Sequence, residues 1–117
     1  MSVAKSDLET QEAIAALVEC ARECRHCAQA CQDEENAAHL ETCIRLCQDC
    51  ADICALGADL MRRHSRFQPG FSRLCAEACE ACAGECARHA HMDHCRECEE
   101  ACRRCAEACR GMAGVPA

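Results

Sequence analysis

The chain has no tryptophan and no tyrosine, and Phe67 and Phe71 are its only aromatic residues. Leu, Ile, Val and Phe together supply 15 of 117 residues, too few for an ordinary aliphatic core. Beside a net charge of −7, that poverty taken alone is the composition of a disordered chain. Long apolar runs are missing as well: the longest uninterrupted aliphatic stretch is Ala13 to Val18, which excludes a membrane span. The opening segment MSVAKSDLETQEA is polar and acidic, without the apolar stretch of a secretory signal, so a cytoplasmic chain is expected. Basic residues are in the minority, 13 Lys and Arg against 20 Asp and Glu, which argues against a nucleic-acid partner.

What replaces the missing core is 17 cysteines, with 23 alanines around them. Sixteen fall into four copies of Cys-x3-Cys-x2-Cys-x3-Cys: Cys20, Cys24, Cys27, Cys31; Cys43, Cys47, Cys50, Cys54; Cys75, Cys79, Cys82, Cys86; and Cys98, Cys102, Cys105, Cys109. Cys95 stands alone ahead of the last copy. Steps of four, three and four stay on one stripe of a 3.6-residue helix, so each copy lines a single helix face with thiols. Ala, Glu, Arg and Gln, all strong helix formers, fill most of the positions between.

One all-α domain over residues 1–117 is therefore expected, an antiparallel up-down-up-down four-helix bundle with a cysteine-lined core. The helices should run roughly over 7–33, 36–64, 69–89 and 93–112. Ser6 to Glu9 reads as a capping box for the first. Asn36, or the acidic run before it, suits the start of the second, Pro69 the first turn of the third, and Asp93 the cap of the fourth, which Gly111 and Gly114 close.

A cytosol keeps thiols reduced, and clustered cysteines there more often bind metal or do redox work than form structural disulfides. The odd count also forbids complete pairing within the chain. Soft thiolates select Cu(I), zinc or iron–sulfur clusters, and iron–sulfur sites use different spacings. A four-Cys layer suits tetrahedral zinc, yet four Zn²⁺ among sixteen thiolates would leave buried negative charge that costs several kcal/mol per ion, of order. Cu(I) approaches one ion per bridging thiolate and so neutralises the interior, giving ~8 to ~17 ions per chain.

Stacked on paper, the helices give layers of Cys20, Cys54, Cys75, Cys109; Cys24, Cys50, Cys79, Cys105; Cys27, Cys47, Cys82, Cys102; and Cys31, Cys43, Cys86, Cys98, with Cys95 beyond the last. Near that last layer gather His39, His89, His91, Met92 and His94. His39, His91 and His94 each precede a cysteine by four, and His89 follows Cys86 by three, spacings that set imidazole beside thiolate. His89, His91 and His94 are the candidate ligands of a mouth for arriving metal, with His39 and Met92 as further candidates. Leu40 rather than His39 continues the strict phase of the second helix. The opposite end carries Leu17, Met61, Phe71 and Met112 in phase, with Ile14, Leu60 and Leu74 nearby, the composition of a closed plug. His26 lies opposite the thiol stripe, and His64 belongs with Arg62, Arg63, Arg66 and Arg73 in a basic hinge.

From about Leu8 to Met112 the repeated Cys-x3-Cys lining resembles the cytosolic bacterial copper storage proteins. That resemblance implies storage of multiple Cu(I) ions in a four-helix bundle, no catalytic turnover as the main role, and a homo-oligomer, commonly a tetramer.

Alternatives of other classes have weaker support. A zinc–thiolate reservoir meets the charge argument above. Cys27-x3-Cys31 and Cys43-x3-Cys47 are similar to the twin motif of disulfide-stapled helical import chaperones, but that reading leaves thirteen cysteines unexplained. A thiol redox enzyme would set one low-pKa cysteine apart from the rest, whereas these are nearly equivalent, so no catalytic residue is assigned. Leu46, Ile53 and Leu60, seven residues apart on a flank of the second helix, serve either packing within the chain or an interface between copies.

Overall fold

The computed structural model describes residues 7–114, and the capping box at Ser6 lies partly outside them. Four helices account for most of that span: α1 (Asp7–Gln32), α2 (Glu41–Arg62), α3 (Gln68–Ala87) and α4 (Asp93–Ala113). No strand occurs among the described residues. α1 packs on α2 and α4, α3 packs on α2 and α4, and the diagonal pairs meet through thiols across the bundle axis.

The helix ends depart from expectation in instructive ways. Asn36 makes no capping bond through its side chain; a single 3-10 turn, Ala37–Leu40, leads into α2 five residues later than predicted. That tight turn seats Leu40 in the core, 1% exposed, while His39 faces solvent. Asp93 is the first residue of α4 rather than its cap and ion-pairs with Arg96 at 2.9 Å. Pro69 lies in the first turn of α3, where its missing N–H costs no helical bond. α2 ends in a Schellman pattern, with Ser65 N–H on the Leu60 carbonyl at 3.0 Å and His64 N–H on the Met61 carbonyl at 3.2 Å. His64 accordingly takes the left-handed conformation, φ 53°, a place usually given to glycine.

α1 lies closest to α2, and α3 to α4. Ala21, Ala28, Ala51 and Ala58 are buried in the first hairpin and Ala76, Ala83, Ala101 and Ala106 in the second. Small side chains permit close approach of helix axes, which is what brings facing thiols within reach of one another. Ile14 is buried one turn before Leu17, whereas Val18 is 43% exposed. Leu46, Ile53 and Leu60 are half-buried along α2, and Leu56, Phe67 and Leu74 are exposed.

Candidate metal centre

All 17 thiols are free and buried, most with no exposed surface at all. Their sulfurs form a continuous column. Cys54 and Cys79 approach to 3.5 Å, Cys24 and Cys102 to 3.6 Å, Cys47 and Cys82 to 3.6 Å, and Cys43 and Cys86 to 3.8 Å.

The predicted stacking holds within each hairpin and between α2 and α3, where Cys43 meets Cys86, Cys47 meets Cys82 and Cys50 meets Cys79, but it fails between α1 and α4. Cys20 meets Cys79 and Cys102, Cys24 meets Cys82 and Cys98, and Cys31 meets Cys95. α4 is displaced against α1 by one cysteine step, about one helical turn, and Leu17 rather than a cysteine of α1 reaches the level of Gly57 and Cys75. Gly57 makes room there: a Cβ on it would stand 2.8 Å from the Cys75 sulfur and 3.5 Å from Leu17. In the resulting order Cys31, Cys43 and Cys95 form the outermost level, at the end expected to be the mouth. Three levels of four thiols follow, and Cys75 and Cys109 close the base. The shift resolves the odd cysteine, since Cys95 is the partner of Cys31 on α4 rather than a residue beyond the column.

Of the sequence-predicted histidines, the fold brings one to the sulfurs. His94 Nδ1 lies 3.5 Å from Cys95 and 3.8 Å from both Cys27 and Cys31, completing the mouth level. Its Nε2 is 3.4 Å from a carboxylate oxygen of Glu34. A proton donated from Nε2 to Glu34 leaves the Nδ1 lone pair facing the thiols, the arrangement by which carboxylates orient metal-binding imidazoles. His89 instead turns Nε2 toward Glu85 at 2.9 Å, and both side chains are largely buried. His39 and His91 are exposed, as is His26. Met92 is partly buried against the core as the residue preceding α4. Glu34 had no signal in the sequence, being 60 residues from its partner; Glu85, four before His89, had one.

Burial first, then the neighbouring Cys43 thiol, pushes Cys31 up to about 11. Cys95 is raised by the same two causes, its charged neighbour being Cys31. For Cys43 and for the thiols deeper in the column, hydrogen bonds between thiols dominate. They hold Cys20, Cys43, Cys82 and Cys98 down and push Cys24, Cys47, Cys79 and Cys102 up. The array thus tolerates some thiolates at a time only while their neighbours keep protons to donate.

Quartets of sulfurs lying within 4.8 Å of one another recur along the column. One is Cys20, Cys50, Cys54, Cys79; the next, Cys20, Cys24, Cys50, Cys102, shares two of those thiols and passes Cys24 and Cys102 on to Cys24, Cys82, Cys98, Cys102. Toward the mouth, Cys27, Cys43, Cys47, Cys86 likewise shares Cys27 and Cys43 with Cys27, Cys31, Cys43, Cys95. Such a lattice accommodates soft ions bridged by common thiolates.

A family model described as copper storage protein matches residues 6–114. The chain belongs to the copper storage protein family. A Bacillus subtilis (strain 168) protein known as the uncharacterized cysteine-rich protein YhjQ is 46% identical over 104 residues, 89% of this chain and 95% of its own. Among solved structures, a cytosolic copper storage protein from Streptomyces lividans, loaded with five coppers, superposes with a TM-score of 0.88 at 39% identity, over 93% of this chain and 95% of that one. The Cu(I)-bound copper storage protein BsCsp3 does so with a TM-score of 0.86 at 44% identity, over 91% and 99%.

Proposed function

We propose that this protein stores Cu(I), holding many ions per chain on bridging thiolates along the bundle axis and admitting them at the end where His94 joins Cys31, Cys43 and Cys95. The sharing of thiols between successive quartets carries this reading. Isolated tetrahedral zinc sites would need four private thiolates each, and two dications across a shared pair of sulfurs repel strongly in a buried setting. Monovalent d¹⁰ copper accepts two or three bridging thiolates and leaves the column neutral, at ~8 to ~17 ions per chain. The copper-loaded relatives support the same cargo.

Each ion enters by ligand exchange: a Cu–ligand bond of the donor breaks, a Cu–S bond to cysteine forms, and the thiol proton passes to the released ligand or to water. At the mouth, His94 Nδ1 is the one nitrogen ligand among the described residues in reach of the thiols and hands the ion to Cys95, Cys31 and Cys27. No thiol is set apart for turnover, so the role is capacity. The cytoplasm is the compartment that suits seventeen reduced thiols, and a relative is a cytosolic protein. The half-buried Leu46, Ile53 and Leu60 beside exposed Leu56 and Leu74 suit a contact between copies, in a homo-oligomer such as a tetramer.

The test is an anaerobic titration of the reduced protein with Cu(I) against a competing chelator, with a parallel Zn²⁺ arm. Uptake of roughly 8 to 17 Cu(I) per chain is expected. Uptake of one or two Cu(I), or zinc held in preference, overturns the reading.

A further inference from the structure

The far end of the column carries two thioethers beside the aliphatic side chains of Leu17 and Ile14. Met61 and Met112 are 2% and 6% exposed, and each follows its helix's core stripe. Met61 comes one turn after Gly57, and the Cys75 sulfur sits where a Cβ of Gly57 would be. The Cys75 thiol donates to the Ile53 carbonyl at 3.8 Å, and on the facing helix Cys109 lies 3.9 Å from Cys105, the next sulfur inward.

On its outer side Met61 lines a surface cavity of about 230 Å³ together with His64, Asp7 and Ile14. Met112 lines another, of about 310 Å³, whose polar groups are the carboxylates of Glu9, Glu12 and Glu107. Carboxylates are poor ligands for a soft monovalent ion, whereas imidazole and thioether are good ones, so the Met61 cavity is the one with copper chemistry. His64 holds its place there at a conformational cost. The Schellman turn explains the left-handed backbone but calls for glycine, not histidine.

The same turn is the positive spot of an acidic protein. Arg62, Arg63, His64 and Arg66 are all exposed; Arg62 pairs with Asp59, and Arg63 and Arg66 have no ion pair among the described residues. A bare cation would be repelled by this surface. An anionic carrier would be drawn to it.

We propose that the α2–α3 hinge is a second port, at which an anionic Cu(I) complex of a small thiol docks on Arg63 and Arg66 and exchanges copper through His64 and Met61 with Cys75. The exchange balances as RS–Cu–SR⁻ plus Cys75–SH giving Cys75–S–Cu–SR⁻ plus RSH. One Cu–S bond breaks and one forms, the thiol proton leaves on the departing small thiolate, and no redox change occurs. His64 and Met61 serve as transient ligands between the two sulfurs. Run backwards, the same steps withdraw copper from the base of the column. The inference rests on the storage reading and adds a route and a donor class to it.

Stopped-flow loading of the whole protein tests it, with the Cu(I)–glutathione complex as donor in one arm and Cu(I) in acetonitrile in the other. Variants are made with the mouth intact and with it disabled by His94→Ala. In the disabled background, loading from the glutathione complex should continue and fall about tenfold or more on Met61→Leu, His64→Gly or the pair Arg63→Gln with Arg66→Gln. The arginine pair should lose its effect at high salt and with the acetonitrile donor. His64→Gly relaxes the backbone, so a slower rate there is not a folding defect; circular dichroism checks the other variants. Unchanged rates in all three variants, or no loading at all once His94 is removed, overturn the second port. Wild-type capacity in the same experiment reports separately on storage, so many ions taken up with no hinge dependence sinks this inference alone.

Discussion

The sulfurs of Cys31 and Cys95 lie 3.7 Å apart, joining the end of α1 to the start of α4 and making Cys95 part of the mouth. Cys95 is also 3.8 Å from Cys27 and 3.5 Å from the His94 ring, so four potential ligands converge at the proposed entry. Cys95→Ser should therefore lower Cu(I) capacity by about one or two ions and weaken the first ions bound, much as Cys31→Ser would. Chelator competition at low copper loading measures this. A Cys95→Ser protein indistinguishable from wild type would mean that the thiol only packs.

The histidines should separate by position. His94→Ala removes the one imidazole among the thiols and should slow loading from a chelated donor by about tenfold or more, with final capacity nearly retained. Glu34→Gln keeps the ring but loses the charge that orients it and should give a smaller defect in the same direction. His39→Ala and His91→Ala, both exposed, should load like wild type. Equal defects in all four variants would indicate a loose cationic screen at the mouth rather than a ligand.

The helical phase of sixteen cysteines was legible in the sequence because spacing alone sets which residues share a helix face. Register between α1 and α4 was not, because it depends on how many turns lie below the thiols on each helix. There the deciding residues are Leu17 and Gly57, one filling the level that Cys20 would have taken and the other vacating space for Cys75. Equal i,i+4 spacing made His39, His91 and His94 look alike. Their separation came from the 3-10 turn before α2, which turns His39 outward, and from Glu34 across the bundle, which holds His94 inward.

Gly57 should be intolerant where other helical glycines are not. Its missing Cβ is the space occupied by the Cys75 sulfur, with Phe71 also within 3.5 Å, so Gly57→Ala must push apart α2 and α3 at the base. Overpacking of that kind costs about 1 to 3 kcal/mol. Gly84, with nothing within 4 Å of its would-be Cβ, should gain roughly 0.5 to 1 kcal/mol from the same change in helix propensity. Urea denaturation of the reduced, metal-free proteins compares the two. A neutral Gly57→Ala would show that the Cys75 side chain can swing away at little cost.

The metal-free bundle should also lose stability in alkali. Burial and the nearby Cys43 thiol raise Cys31 in the folded chain from 9.0 to about 11, and Cys95 moves the same way. Between those two values the folded thiol keeps its proton while the unfolded one has lost it, so the native state binds more protons and stability falls as pH rises. The contribution is whole below 9.0 and lost as pH passes through about 11, on the order of 2 kcal/mol for Cys31 alone. The copper-loaded protein has no such proton left to lose at bridging thiolates, so its stability should stay level over that interval. Loading below pH 9 must accordingly release the protons that burial had retained. Anaerobic urea titrations of both forms across this pH range measure the first effect, and an indicator dye in weak buffer during loading measures the second. A metal-free protein as stable at pH 11 as at pH 8, or copper uptake without acidification, would show that the column already holds thiolates before metal arrives.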